Sequence, residues 1–428
     1  MRILFASLPA DGHFNPLTGI AVHLAAVGHD VRWYAGPEYA PRVTRLGIPV
    51  FPYAEATEVT AGNLNLLYPE RARLRGPRLM SFDGEKLFVA NVGAHFRDIV
   101  AIREQFPFDL FFCDGALYAE HLVATVLKVP VFATAMSAVM ATGDNPPPFF
   151  GLRPARSVAA RVREKALGRL FVIANKRAIT AYNATLKIHG LPPVPPDHFP
   201  AGPMGSATRV FLNGTPCLEF PGYRPPPNAE FVGELAPARP SFPAGELPAR
   251  VRLTTSRVVV VSQGTVDNTD PDKLIVPTIE ALKDEPYVVV ATTGGVGTQV
   301  LRGRYADHPN VVVEDFIDYR TLLPRADVFV TSGGWGSTLA AIGAGVPLVG
   351  AGTREGKNDL NVRVAYKGLG VDLRSEHPTP AAIRAAVGRV NKDPAIRTNL
   401  ELARAELAAY DPMGIIERAV ATLAVPAP

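Results

Sequence analysis

The chain has 428 residues, 47% of them hydrophobic and 20% charged, with 44 basic against 40 acidic residues for a net charge of +4. That length exceeds one ordinary core, so two globular domains are expected. The mild charge, free of lysine- or arginine-rich runs, excludes nucleic acid as an expected partner, and no stretch approaches the roughly 18 apolar residues of a membrane span. Cys113 and Cys217 make neither a metal-binding spacing nor a disulfide framework and read as buried free thiols. The opening MRILFASLPADGH reads as a first core strand and not as a signal peptide, so a cytoplasmic location is expected.

In chain order, Arg2 to Leu8 is an apolar strand and Pro9 to Asn15 a loop. Asn15-Pro16 reads as a helix start, with a capping side chain and proline at the first helical position. Leu17, Ile20, Ala21 and Leu24 then recur at helical spacing, and Gly28 ends the helix. With the strand Asp30 to Tyr34 this makes a βαβ unit, whose first loop lies at the ligand-binding edge of an open α/β sheet. His13 sits in that loop. Phe108 to Cys113 is another apolar strand, ending at Asp114. If the two strands are neighbours, His13 and Asp114 meet. A carboxylate accepting one imidazole N–H fixes the tautomer and leaves the other nitrogen to take a proton. Taken singly, His13 reads equally as a solvated loop side chain and Asp114 as a helix N-cap.

The segment 55–107 carries Phe82 and Phe88, and the one after the strand Val131 to Thr134 carries Met136, Met140 and Phe149. Met and Phe on loops beside a candidate site suit a large apolar ligand. Residues 155–190 read as helical, Arg209 to Leu212 as a strand, and the proline-dense 215–253 as a linker whose one strand-like piece is Phe231-Val232-Gly233.

The second half restarts the alternation. Strands are expected at Arg257 to Ser262, Tyr287 to Thr292 and Val311 to Glu314, with a helix at about 271–283. From Val328 the sequence VFVTSGGWGSTLAAIGAGVPLVGAGTREGK gives a strand, a glycine-rich turn (Ser332, Gly333, Gly334, Trp335, Gly336, Ser337), a helix stopped by Gly345, and a strand Pro347 to Gly350. A strand followed by a glycine-rich helix start is an anion site, because unpaired N–H groups and the positive dipole end converge there. The spacing matches neither GxxxxGK[ST] nor a GxGxxG that opens a first βαβ unit. Residues 380–424 read as helical, and the last part is expected to cross back to the first domain.

These residues together resemble the family 1 nucleotide-sugar glycosyltransferases of the GT-B fold, near bacterial enzymes that decorate natural products. The resemblance rests on ILFASLPADGHFNPLTGIAVHLAAVGHDV, DLFFCDG, FVGELAP, VSQGT, ATTGG, DFIDYRTLLPRADVFVTSGGWGS and AGVPLVG. It implies an α/β protein of two Rossmann-like domains facing across a cleft: 1–214 for the acceptor, a linker 215–253, 254–400 for the nucleotide sugar, and 401–428 returning to the first. It implies inverting transfer from a nucleotide diphosphate sugar, UDP-glucose first and a dTDP-sugar next, to a hydroxyl of an apolar small molecule. His13 falls at the family's base and Asp114 at its partner. Gly264, Thr265, Phe316, Ile317, the turn Ser332 to Ser337, Glu355 and Lys357 fall at or near the donor. Phe82, Phe88, Met136, Met140 and Phe149 are the acceptor candidates. No metal and no further cofactor are implied, and a monomer or homodimer is expected.

The sequence departs from the family at Ser332, where the family has a diphosphate-binding histidine, at Gly336 and Ala340, and at Gly356-Lys357, where a sugar-binding Asp-Gln pair would fall. An epimerase or hydrolase of this fold would not need the apolar 60–150 region, and a non-catalytic binder would not need a base.

Overall fold

The computed structural model describes residues 1–60, 62–140, 145–238, 247–264, 268–354 and 356–424. Runs rich in β-branched and aromatic residues form the strands. In the first half these are β1 (Arg2–Ala6), β2 (Asp30–Ala35), β3 (Val50–Pro52), β4 (Leu110–Asp114), β5 (Val131–Ala135), β6 (Arg209–Asn213) and β7 (Ala229–Gly233). In the second they are β8 (Arg257–Ser262), β9 (Tyr287–Thr292), β10 (Val311–Glu314), β11 (Val328–Thr331), β12 (Leu348–Gly350) and β13 (Gly370–Asp372). The helices that shape the site are α1 (Asp11–Ala26), α2 (Val92–Gln105), α3 (Val158–Ala174), α4 (Trp335–Ala344), α5 (Lys357–Tyr366) and α6 (Pro412–Ala424).

The strands pair in parallel into two sheets, β3-β2-β1-β4-β5-β6-β7 and β10-β9-β8-β11-β12-β13. Both orders are doubly wound. The chain leaves the central pair in opposite directions, opening a crevice at the carboxyl ends of β1 and β4 in one sheet and of β8 and β11 in the other. Parallel strands covered on both faces need nearly continuous apolar runs. The second sheet meets this with valine, Val258 to Val261 and Val288 to Val290 being buried. The first uses aromatic rings. Phe5 stacks on Phe112 with centroids 4.9 Å apart, and Phe112 on Phe211 at 5.9 Å. Phe14 of α1 packs on Trp33 at 5.0 Å, locking the helix to the sheet. Each fully buried ring of this kind contributes about 1.5–3 kcal/mol.

Three expectations need correction. α1 begins at Asp11 and not at Asn15-Pro16, so His13 lies in its first turn and Pro16 inside it. Proline at the sixth helical position removes only the bond to the Gly12 carbonyl, a modest loss so near the helix start. The Asp11 carboxylate favours the helix dipole there, and it accepts from the Tyr39 hydroxyl (3.1 Å) and from Arg42. Next, the 215–253 segment is not all linker, because β7 pairs with β6 as the edge strand of the first sheet. Finally, the return to the first half begins at Pro412 and not near residue 401. The preceding helix, Pro394–Ala408, buries Leu400, Ala403 and Leu407 in the second core. α6 instead buries Ile416, Ala419 and Val420 with Phe14 and Leu17, and His23 Nε2 meets Glu417 at 2.9 Å. No helix among the described residues is long and apolar enough to cross a membrane.

Candidate active site

β1 and β4 are hydrogen-bonded neighbours, with Ala6 opposite Cys113, so their carboxyl ends bring α1 and Asp114 together. Asp114 is buried. Its Oδ2 accepts the Leu8 N–H at 2.7 Å, and its Oδ1 accepts the Ala116 N–H at 2.9 Å. The same Oδ1 lies 2.9 Å from His13 Nδ1. With the carboxylate as acceptor, Nδ1 carries the hydrogen and Nε2 keeps its lone pair. Burial alone would lower the His13 pKa, but the Asp114 charge and hydrogen bond outweigh it and raise the value above 6.5.

A second polar group stiffens the wall beside this pair. Tyr34 donates to Asp98 Oδ2 at 2.6 Å, and His95 Nδ1 lies 3.0 Å from the Tyr34 oxygen. Asp98 also accepts the backbone N–H groups of Ala54, Glu55 and Ala56 (2.8–3.2 Å), pinning the chain just after β3. Burial holds the His95 pKa down at about 4, so it is a neutral structural imidazole. Sequence reading missed both residues. The available signal was a His and an Asp three apart on the buried face of α2.

At the other sheet's crevice, Ser332 Oγ donates to the Gln263 carbonyl at 2.8 Å, tying the turn after β11 to the end of β8. Gln263 is buried, and its Oε1 accepts the N–H groups of Leu274 (3.1 Å) and Ile275 (3.0 Å). Gly264 N–H donates to Ser262 Oγ at 3.3 Å. Gly333 has φ +99°, and a Cβ there would collide with the Asn361 side chain. Asn361, another residue sequence reading missed, holds the Ser332 and Gly352 carbonyls through Nδ2 at 3.2 and 3.1 Å. Gly334 caps α4 without a side-chain bond, so the first-turn N–H groups of Trp335, Gly336 and Ser337 point out of the helix. Ser337 Oγ donates to the Gly334 carbonyl at 3.1 Å. Trp335 Nε1 donates at 2.7 Å to the Asn213 carbonyl, at the end of β6 in the first half. Phe316 is 38% exposed, with its ring beside Gly295, while Ile317 is buried in the second core. Thr265 and Glu355 lie outside the described residues. Lys357 opens α5.

The acceptor candidates are scattered. Met140 is buried in the first core, in the cluster that also holds Leu117, Tyr118 and Met204. Phe88 packs half-buried against Tyr118, and Phe82 sits edge-on to Tyr68 at 5.6 Å. Met136 is 36% exposed. Phe149 crosses to the other half: its N–H donates to Asp359 of α5, and its carbonyl accepts from Asn358 Nδ2 at 2.9 Å.

Two doubly wound lobes facing across a cleft define the GT-B class of glycosyltransferase. Residues 300–422 match the family described as "Erythromycin biosynthesis protein CIII-like, C-terminal domain". The 4'-demethylrebeccamycin synthase of Lentzea aerocolonigenes is 34% identical over 418 residues, 96% of each chain. UDP-glycosyltransferase 2 of Phaeomoniella chlamydospora is 27% identical over 437 residues, 96% of this chain and 93% of its own. Among solved structures, the calicheamicin glycosyltransferase CalG4 superposes with a TM-score of 0.75 at 22% identity, covering 100% of this chain and 99% of that one. The chain belongs to the family 1 nucleotide-sugar glycosyltransferases of natural-product type, hexosyltransferases that use a nucleotide sugar as co-substrate.

Proposed function

We propose that the enzyme transfers a hexose, with inversion, from a nucleotide diphosphate sugar to a hydroxyl of an apolar natural product, using His13 as general base. The observation that carries this reading is the 2.9 Å contact between His13 Nδ1 and Asp114, made at the β1/β4 crevice. It leaves Nε2 to accept the hydroxyl proton. As the acceptor oxygen bonds to the anomeric carbon, the bond from that carbon to the diphosphate breaks. The negative charge that grows on the leaving phosphate is met by the first-turn N–H groups of α4. Those donors are fixed before reaction by the Ser332–Gln263 and Asn361 bonds, so little reorganisation is needed. Phe316 offers an exposed ring on which a nucleobase can stack. UDP-glucose is the favoured donor, its nucleotide in line with the name of the Phaeomoniella relative, and a dTDP-sugar is next.

The test incubates the enzyme with UDP-glucose or dTDP-glucose and a panel of flavonoids and macrolides. The expected result is a mass gain of one hexose and a β-linked product from the α-linked donor. Retained anomeric configuration, or donor turnover that ignores the acceptor, would remove this mechanism.

A further inference from the structure

Helix α5 belongs to the half assigned to the donor, yet two of its side chains hold the other half and a third holds the segment between them. Asp359, buried, accepts two backbone N–H groups from the strap that follows β5: that of Phe149 on Oδ2 and that of Gly151 on Oδ1, the latter at 2.8 Å. Asn358 Nδ2 donates to the Phe149 carbonyl at 2.9 Å. One turn on, Arg363 Nε meets Glu219 Oε2 at 3.3 Å in a pair whose side chains are 4% and 3% exposed. Glu219 in turn accepts from Ser137 Oγ, just after β5. Phe149 and Gly151 are thus held by α5 directly, and Ser137 is tied to it through Glu219.

The grip is tight enough to hold a conformation the chain would otherwise avoid. Phe149 sits at φ +71°, a region non-glycine residues rarely occupy, and such strain persists only where neighbours over-determine it. Here they are the two bonds above and a parallel stack on Phe171 of α3, with centroids 5.7 Å apart. Gly151 approaches so closely that a Cβ would lie 2.8 Å from Asn358 Cβ. A buried carboxylate that accepts two backbone N–H groups from another lobe makes a specific, charge-assisted joint.

We infer that Asp359 and Arg363 are positioning residues for the acceptor: α5 sets the place of Ser137 and of the 149–151 strap with its Phe149 ring, so acceptor affinity depends on residues of the donor half. The inference rests on the proposed transfer reaction for its substrate but not for its geometry.

Two measurements on the 428-residue chain separate the two. Hydrogen exchange on a 146–151 peptide reads the amides of Phe149, Phe150 and Gly151 alone, because prolines 146 to 148 have none. Asp359→Asn keeps the shape and weakens the joint, and Gly151→Ala blocks it sterically from the other side. Both are expected to lose protection on that peptide and to raise the KM, or the Kd, of the tightest-binding panel acceptor by about tenfold. The Kd for UDP should stay within about twofold, within the scatter expected of a site not touched. Phe149→Gly, which tolerates the positive φ, should keep the protection and still weaken the acceptor. Unchanged protection in Asp359→Asn, or lost protection with unchanged acceptor affinity in both joint variants, overturns the inference. If Asp359→Asn fails to fold, Gly151→Ala decides. Intact protection and acceptor binding in the wild type without sugar transfer would instead sink the proposed reaction and leave the joint standing.

Discussion

The two crevices share one topology and differ in what lies at their mouths. At β1/β4 a buried carboxylate and an imidazole meet at 2.9 Å. At β8/β11 the turn itself is Ser332, Gly333 and Gly334, uncharged side chains around a bare helix start. A proton acceptor needs a tuned side chain, which burial and one neighbouring charge supply. A diphosphate needs convergent donors without side chains in the way, which backbone N–H groups supply. On the proposed reaction, one fold used twice would serve proton transfer at one switch point and anion binding at the other.

The sharpest way to break this division is His13→Ala. Removing the base is expected to lower kcat by roughly 10²–10⁴-fold. Nucleotide affinity, measured calorimetrically with UDP, should be unchanged. A matching loss of UDP binding would show that the first crevice also holds the donor, and the comparison would fall.

The next effect is on pH. Because the His13 pKa is raised above 6.5, the base is charged and inactive at low pH, and kcat/KM should climb as pH passes through that raised value. Stability runs the other way. The contribution of the ion pair is fully present below the ordinary pKa of 6.5 and is lost as pH rises through the folded-state value. Asp114→Asn removes the charge that raises the pKa. The acid limb should move to lower pH while kcat falls roughly 10²–10⁴-fold, because an amide no longer fixes the tautomer. An acid limb that stays in place would mean another group titrates there.

Much of this was legible in the sequence. The strands Tyr287–Thr292 and Val311–Glu314 lie where the apolar runs put them, since valine runs bounded by polar residues leave little choice. The meeting of His13 with Asp114 followed from two apolar strands ending in polar loops, given the doubly wound order that makes them neighbours. The start of α1 was not legible. Proline at position 16 reads as a first helical residue, and only the Arg42 and Tyr39 bonds to Asp11 show that the helix begins earlier. The Asp359 joint was out of reach: it links residues more than 200 positions apart, and nothing local in NPPPFFG marks a backbone that will seek a carboxylate.

On the anion side, Gly333→Ala is expected to cost about 1–3 kcal/mol in strain at φ +99°, compounded by collision with Asn361. A displaced turn misaims the first-turn N–H groups of α4, so UDP affinity should fall roughly tenfold or more, while the pH profile of the first crevice keeps its shape. An acid limb that moved with this variant would show the two crevices to be coupled more closely than their separate chemistry implies.

The smallest effect should come from Ser337→Ala, and it sharpens the comparison most finely. A serine in the first turn of a helix is commonly read as a phosphate ligand through its hydroxyl. Here that hydroxyl donates back to the Gly334 carbonyl at 3.1 Å, so its proton is committed within the helix and its remaining lone pairs would repel a phosphate oxygen. What position 337 offers an anion is its N–H, which alanine retains. UDP affinity should therefore change by less than about threefold, a fraction of the usual net worth of a hydrogen bond. A tenfold loss would mean the hydroxyl turns outward when nucleotide arrives, and the anion site would then depend on a side chain as well as on the backbone.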